Sequence, residues 1–330
     1  MSKDTLPLVS IIVRTKDRPQ LLKRALQSIA SQTYRPIEVV LVNDGGCDLD
    51  IPEIRTLLGD VSLNYQRLEK NTGRAHAGNV GIGNSKGEYI GFLDDDDEFW
   101  PEHVFELISA IGHSDCAVVY TDSEIVDREY DFSTGEFTEK GRQLFFSRDF
   151  SLNDLLIENY IPLINILIKR DMLLSLGMFD ETLMAYEDWD MLIRVASHHE
   201  FRHIRRVTAQ YIQWSREHQI AQSSEHWAVL EEEYYKVTRK HISMVTPEVI
   251  KHIRNSMNDM RKTIRELETQ SPHNKASASL TSDEKEKRLS ELESYIDRIH
   301  SARGWKALSL YYRMKDRFLG MIRSTSIMTV

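Results

Sequence analysis

Along the first 120 residues, short apolar runs alternate with segments whose apolar positions recur every three or four residues. Val9-Ser10-Ile11-Ile12-Val13 is largely β-branched and reads as a buried strand. The polar loop Arg14-Thr15-Lys16-Asp17-Arg18-Pro19 follows, with Pro19 suited to the first turn of a helix. Leu21, Leu22, Ala25, Leu26 and Ile29 then mark one face of a helix running to Ser31. Ile37-Glu38-Val39-Val40-Leu41-Val42 predicts a second buried strand, ending in Asn43-Asp44-Gly45-Gly46. Residues 51–58 predict a helix and 63–68 a third strand. The glycine-rich stretch 71–83 carries small apolar residues at helical spacing, so it predicts a loop leading into a helix packed close on the sheet. Residues 88–93 predict a strand, Pro101 opens a helix to Ile111, and Ala117-Val118-Val119-Tyr120 predicts another strand. This alternation implies an α/β fold, its mostly parallel sheet covered by helices on both faces.

Between residues 122 and 150 the pattern weakens into polar and aromatic positions, which predicts an insertion over the site. Periodicity resumes with a helix over 152–158, a strand over 163–168 and a short helix over 170–176. Residues 186–196 predict a helix whose first turn carries Glu187, Asp188 and Asp190, where the helix dipole favours acids. Residues 201–214 read as extended. After about residue 245 the pattern changes. Ile250, Ile253, Met257, Met260, Ile264 and Leu267 fall at alternating three- and four-residue steps, the seam of a coiled coil or helical hairpin. Leu289, Leu292, Ile296 and Ile299 resume it, and Trp305, Leu308, Tyr312, Leu319 and Ile322 form a last stripe in basic surroundings. The expected organisation is an α/β domain over 1–245 and an α-helical extension over 246–330. The stripes fit packing on each other or across a homo-oligomer; the basic aromatic tail equally fits an anionic membrane surface.

Composition narrows the classes of function. The 330 residues leave room for one large domain plus an appendage, and 41% apolar with 28% charged residues is an ordinary soluble balance. A formal charge of −9 argues against a nucleic-acid partner. Cys47 and Cys116 are the only cysteines, which excludes a disulfide framework and a cysteine-rich zinc site. The first residues are not followed by a signal-like apolar core, and no run is long enough to span a bilayer. A cytoplasmic location is expected, with peripheral contact at the inner face of a membrane as the alternative.

The chemistry concentrates where Tyr89-Ile90-Gly91-Phe92-Leu93 runs into Asp94-Asp95-Asp96-Asp97. Four carboxylates in a row repel one another unless a cation or ligand compensates them. After a strand they lie at the carboxyl edge of a sheet, where open α/β folds keep ligands. A single acid there would be a helix cap; four exceed that need and point to a divalent metal and a nucleotide. Asp44 follows a strand in the same way and is placed to accept from a base or ribose, although Asn43-Asp44-Gly45 is also an ordinary turn sequence. No glycine-rich phosphate loop ending in Lys and Ser or Thr occurs, and Gly78, Gly81 and Gly83 do not form a dinucleotide fingerprint.

Taken in order, Val9-Ser10-Ile11-Ile12-Val13 with Arg18-Pro19, Ser28-Ile29-Ala30-Ser31-Gln32-Thr33-Tyr34, Val42-Asn43-Asp44-Gly45, Gly87-Glu88-Tyr89-Ile90 and Phe92-Leu93-Asp94-Asp95-Asp96-Asp97 form one set. The set resembles the family 2 glycosyltransferases of the GT-A fold, over residues 8–220. The resemblance implies an inverting transfer from a nucleotide-sugar, with a UDP-sugar as the leading donor, helped by Mg²⁺ or Mn²⁺. It implies that Thr15 and Asp44 hold the base and that Arg74 contacts the nucleotide. Asp94 or Asp95 would lie towards the ribose and Asp96 on the metal, with Asp97 structural. It also matches Asp188 to the general base, Glu187 to a group positioning the acceptor or Asp188, and His218 to a metal ligand, with Arg216 near phosphate. Arg14-Thr15-Lys16-Asp17 departs from the proline-threonine-tyrosine-asparagine-like stretch frequent in the family. Trp189 and Trp214 are either acceptor platforms or core. The implied acceptor is a glycan or a lipid-linked saccharide in cell-surface polysaccharide assembly. The rival expectations are a sugar nucleotidyltransferase and a non-catalytic GT-A scaffold assembling through its coiled coil.

Overall fold

The computed structural model describes residues 6–111, 116–131, 136–145, 147–214, 224–252, 255 and 258. The chain divides into two compact units, Met1–Leu152 with Ile161–Lys240 and Asn153–Tyr160 with His241–Val330. The first opens with β1 (Val9–Thr15), α1 (Pro19–Ala30), β2 (Ile37–Asn43), α2 (Ile51–Leu58), β3 (Ser62–Arg67), α3 (Arg74–Asn84) and β4 (Tyr89–Asp94). There follow β5 (Glu98–Phe99), α4 (His103–Ile111), β6 (Val118–Asp131) and β7 (Glu136–Leu144). After the short α5 (Leu152–Leu155) come β8 (Ile166–Lys169), α6 (Arg170–Ser175), α7 (Glu187–Ala196), β9 (Phe201–Trp214) and α8 (Ser224–Lys240).

One sheet organises the first unit, in the order β3-β2-β1-β4-β8-β6-β9-β5, with β7 added on β6. β3, β2, β1 and β4 are mutually parallel. Every residue of β1 and β2 is buried, which explains why they read as unbroken apolar runs rather than alternations. Leu22, Ala25, Leu26 and Ile29 of α1 close on β1 and β2 residues in a single core. α3 lies close against the sheet because a Cβ on Gly81 would sit 2.5 Å from Ile12 Cγ2, and one on Gly78 2.6 Å from a ring carbon of Phe179. The α/β expectation with its parallel strands holds, and α3 begins after the expected loop.

The polar stretch 122–150 is where the structure departs from expectation. It holds most of β6 and all of β7, with β6 pairing β7 antiparallel and β9 parallel. Ion pairs mask its strand pattern. Arg142 binds Glu124 at 2.8 Å, Arg128 reaches Glu98 at 2.5 Å and Gln210 at 3.0 Å, and His203 faces Asp122 at 2.7 Å. Charged residues with partners in the sheet erase the apolar alternation that marks strands. β5 is too short to show any period, and α8 has no counterpart among the sequence expectations.

In the second unit a 3-10 turn spans Ile242–Met244 and His252 Nε2 lies 2.6 Å from Asp154 Oδ1. The expected coiled-coil seam beyond residue 258, the basic aromatic tail, and Arg216 and His218 lie outside the described residues. No helix among the described residues is long and apolar enough to cross a membrane.

Candidate active site

The carboxyl ends of β1, β2 and β4 lie side by side, with Thr15 in register with Asn43 and Arg14 with Asp94. Parallel pairing therefore brings Thr15, Asp44 and the acidic run to one edge. Thr15 is buried and donates its hydroxyl to Asp95 Oδ2 at 2.6 Å. Asp44 is held by three donors at the approach to α3: Thr72 N at 2.7 Å, Thr72 Oγ1 at 2.8 Å and Gly73 N at 3.0 Å. This clasp fixes the loop that delivers Arg74, whose side chain is 60% exposed.

The four aspartates divide by direction. Asp95 and Asp97 are buried, whereas the Asp94 and Asp96 side chains are 39% and 25% exposed. Asp97 Oδ1 accepts from Ile212 N at 2.9 Å, so β9 supports the run from behind. Burial drives the Asp97 carboxyl well above the usual carboxylate range, with the Asp96 and Asp94 charges adding to it. Burial also raises Asp95, to about 7, against the opposing charge of Arg18. Burial disfavours ionised Asp94 too, but the Arg14 guanidinium outweighs it and holds this carboxyl below the usual range.

Two arginines that the sequence reading did not place in the site compensate this cluster. Arg18 Nη1 binds Asp96 Oδ2 at 2.7 Å. Its Nη2 lies 2.6 Å from Asp95 Oδ1, off the axis of its N–H bonds, so that contact is ionic without an aligned hydrogen bond. Arg14, 8% exposed, donates to Asp94 Oδ1 from Nη2 at 2.7 Å and from Nε at 3.2 Å. A charged residue at the end of a fully buried strand is the signal in the sequence for Arg14. Tyr211 of β9 also belongs here. Its ring stacks on Phe145 at 5.6 Å between centroids. Burial of its hydroxyl end, reinforced by Asp97, Asp96 and Asp94, raises the phenol well above its ordinary value, although the residue as a whole is part-exposed. Sequence offers no signal for it.

α7 supplies the second set of acids. Tyr186 at its start has φ 62°, a left-handed conformation that is strained for a bulky residue. Glu187 is buried, with its side chain 4% exposed, and binds Arg14 Nη1 at 3.2 Å and Arg74 Nε at 3.7 Å. Asp190 is buried between Arg194 and Lys240, each at 2.9 Å. Asp188 is the partly exposed member of the three; one of its oxygens accepts from Trp189 N at 2.8 Å. Trp189 itself is core, stacked on Tyr234 at 5.2 Å, which removes it as an acceptor platform. Arg14 thus joins Thr15, Asp94 and the α7 acids into one constellation, while His218 is outside the described residues.

The outward carboxylates are of the oxygen-donor type that hard cations take. Asp94 and Asp96 offer oxygen ligands, and Arg18 on Asp96 shows that this position accepts positive charge. Among the described residues, no group of three acidic, histidine or cysteine side chains is placed to hold a metal ion.

Comparison with known proteins bears on the fold and the family. Residues 10–170 match the sequence profile of Glycosyl transferase family 2. This stretch belongs to that family. The chain is 29% identical over 197 residues to the uncharacterized glycosyltransferase YwdF of Bacillus subtilis, covering 59% of this chain and 70% of that protein. It is 32% identical over 206 residues to an uncharacterized glycosyltransferase of Rickettsia bellii, covering 58% of this chain and 28% of the relative. The chain therefore spans less than a third of that relative's length. In three dimensions it is similar to S. aureus TarS 1–349, described in complex with UDP-GlcNAc. The TM-score is 0.53 at 18% identity, over 68% of this chain and 65% of that one, a likeness of GT-A fold.

Proposed function

We propose that this chain is an inverting glycosyltransferase moving a sugar from a nucleotide-sugar, a UDP-sugar in the first instance, to a hydroxyl of a glycan or lipid-linked acceptor in cell-surface polysaccharide assembly. The observation that carries this is the pairing of Arg14 with both Asp94 and Glu187, which sets a nucleotide-type sheet edge beside the acids of α7. TarS, of similar fold, is described in complexes with UDP-GlcNAc and with UDP, which supports a uridine nucleotide here.

In this scheme Thr15 and Asp44 line the base pocket and Arg74 meets the diphosphate. Asp94 faces the ribose, since the Asp95 side chain is turned inward. Asp96, with His218, would hold Mg²⁺ or Mn²⁺, which when bound neutralises charge on the leaving diphosphate. Asp188 takes the proton of the acceptor hydroxyl as its oxygen bonds to the anomeric carbon. The bond from that carbon to the diphosphate oxygen breaks, and the electron pair leaves with the nucleotide. Glu187, buried under Arg14, positions Asp188 rather than the acceptor. Residues 246–330 are assigned to assembly with a second copy or to contact with a membrane surface.

The test is thermal denaturation of the full chain with a panel of nucleotide-sugars, with and without Mn²⁺. A ligand that binds only the folded state raises the midpoint. One nucleotide class should stand out and depend on the metal; no shift with any donor would contradict the proposal.

A further inference from the structure

Arg14 is a positively charged residue in a fully buried strand, which is costly unless its partners are fixed. Four N–H···O contacts leave its guanidinium. Nε and Nη2 converge on Asp94 Oδ1, at 3.2 and 2.7 Å. Nη1 donates to Glu187 Oε1 and to the carbonyl oxygen of Arg74, each at 3.2 Å. One planar group thereby touches the end of β4, the first residue of α7 and the first residue of α3. Arginine suits this because its donors are spread over a rigid fork; a lysine ammonium is a single point charge. Arg74 reaches the same Glu187 oxygen only at 3.7 Å and is mostly exposed.

We propose that Arg14 is a positioning residue that clamps the first turn of α7, and with it Asp188, onto the donor-side edge at Asp94. By neutralising Asp94 and Glu187 permanently it leaves Arg74 available to an incoming diphosphate. The proposal rests on the transferase reading for its catalytic consequence, but the clamp itself is a property of the fold and is measured separately.

The test compares Arg14→Met, Arg14→Lys, Glu187→Gln and the double variant Arg14→Met/Glu187→Gln in the full chain. Hydrogen exchange over residues 187–196 should accelerate in Arg14→Met and Arg14→Lys. Combining Arg14→Met with Glu187→Gln should add little to either change alone, because the two residues act as one unit. With the donor found by thermal shift, kcat should fall roughly 100-fold, the scale expected for a misplaced catalytic group, with donor affinity changed less than about threefold. Arg14→Lys should not restore it. If Arg14→Met fails to fold, the cycle runs with Arg14→Lys. Unaltered exchange in α7, additive effects in the double variant, or rescue by lysine would each overturn the clamp. A wild-type chain that transfers from no donor while the exchange result holds would sink the transferase reading and leave the clamp standing.

Discussion

The candidate site holds two groups of carboxylates, and they are stabilised in different ways. At the end of β4, the inward acid Asp97 is met by the Ile212 amide, and Asp95 by the Thr15 hydroxyl together with an ionic contact to Arg18, with burial pushing both carboxyls up. In the first turn of α7 the inward acids are met by full cations: Arg14 for Glu187, and Arg194 with Lys240 for Asp190. Both groups also keep acids at least partly open to solvent, Asp94 and Asp96 in one and Asp188 in the other. Crowded like charges thus persist by dividing into inward and partly solvent-open members. The strand end combines neutral donors with the charge of Arg18, whereas the helix start is met by Arg14 of β1, Arg194 of α7 itself and Lys240 of α8.

The sharpest contrast is functional. Asp188→Asn should lower turnover by about 10²–10⁴-fold, the usual contribution of general acid–base catalysis, measured as nucleotide release in the presence of acceptor. Next comes Asp190→Ala, which strips one partner from a buried ionic cluster. It should cost about 3–5 kcal/mol in chemical denaturation. Asp97→Ala removes an acceptor from a single buried amide and should cost about 1–3 kcal/mol, so equal losses at the two positions would erase the distinction between ionic and neutral support. Gly81→Ala tests the sheet beneath: its new methyl meets the Ile12 side chain, at a cost of about 1–3 kcal/mol and with no direct effect on either cluster.

The smallest effect near neutrality concerns acid. His103 is fully buried, stacked on Phe99 and bonded to Thr208 at 2.7 Å. Burial depresses its imidazole from the ordinary 6.5 to about 3. The folded state therefore excludes a proton that the unfolded chain accepts. Stability is undiminished by this group above about pH 6.5 and falls as pH drops towards 3, by about 1.4 kcal/mol per unit. Replacing His103 with Gln should flatten that limb in denaturation midpoints measured from pH 7 to 5.

How legible this was in sequence follows the same division. β1, β2 and β4 are buried on both faces, so apolar runs announced them, and the acids after them stood out by position. β6 and β7 were hidden because their polar residues are satisfied by partners on distant segments, such as Glu98 for Arg128 and His203 for Asp122. Thr15, Asp44 and Asp94 come together through parallel register alone. Arg14 stands out only as part of a departure from a familiar stretch and Arg18 only as part of the Arg18-Pro19 motif, because a contact spanning 173 residues, from Arg14 to Glu187, has no local signature. The inward turn of Glu187 goes with its contact to Arg14, and the burial of Trp189 with its stacking on Tyr234 of α8, neither of which a spacing rule encodes.

The division between donor edge and α7 is tested most directly by calorimetric titration of the preferred nucleotide-sugar, with Mn²⁺, into Asp188→Asn. A group that acts only on the acceptor proton leaves ground-state donor binding alone, so the affinity should stay within about twofold of the wild-type chain while turnover is lost. Loss of donor affinity in step with turnover would place Asp188 among the donor contacts and contradict its role as the base.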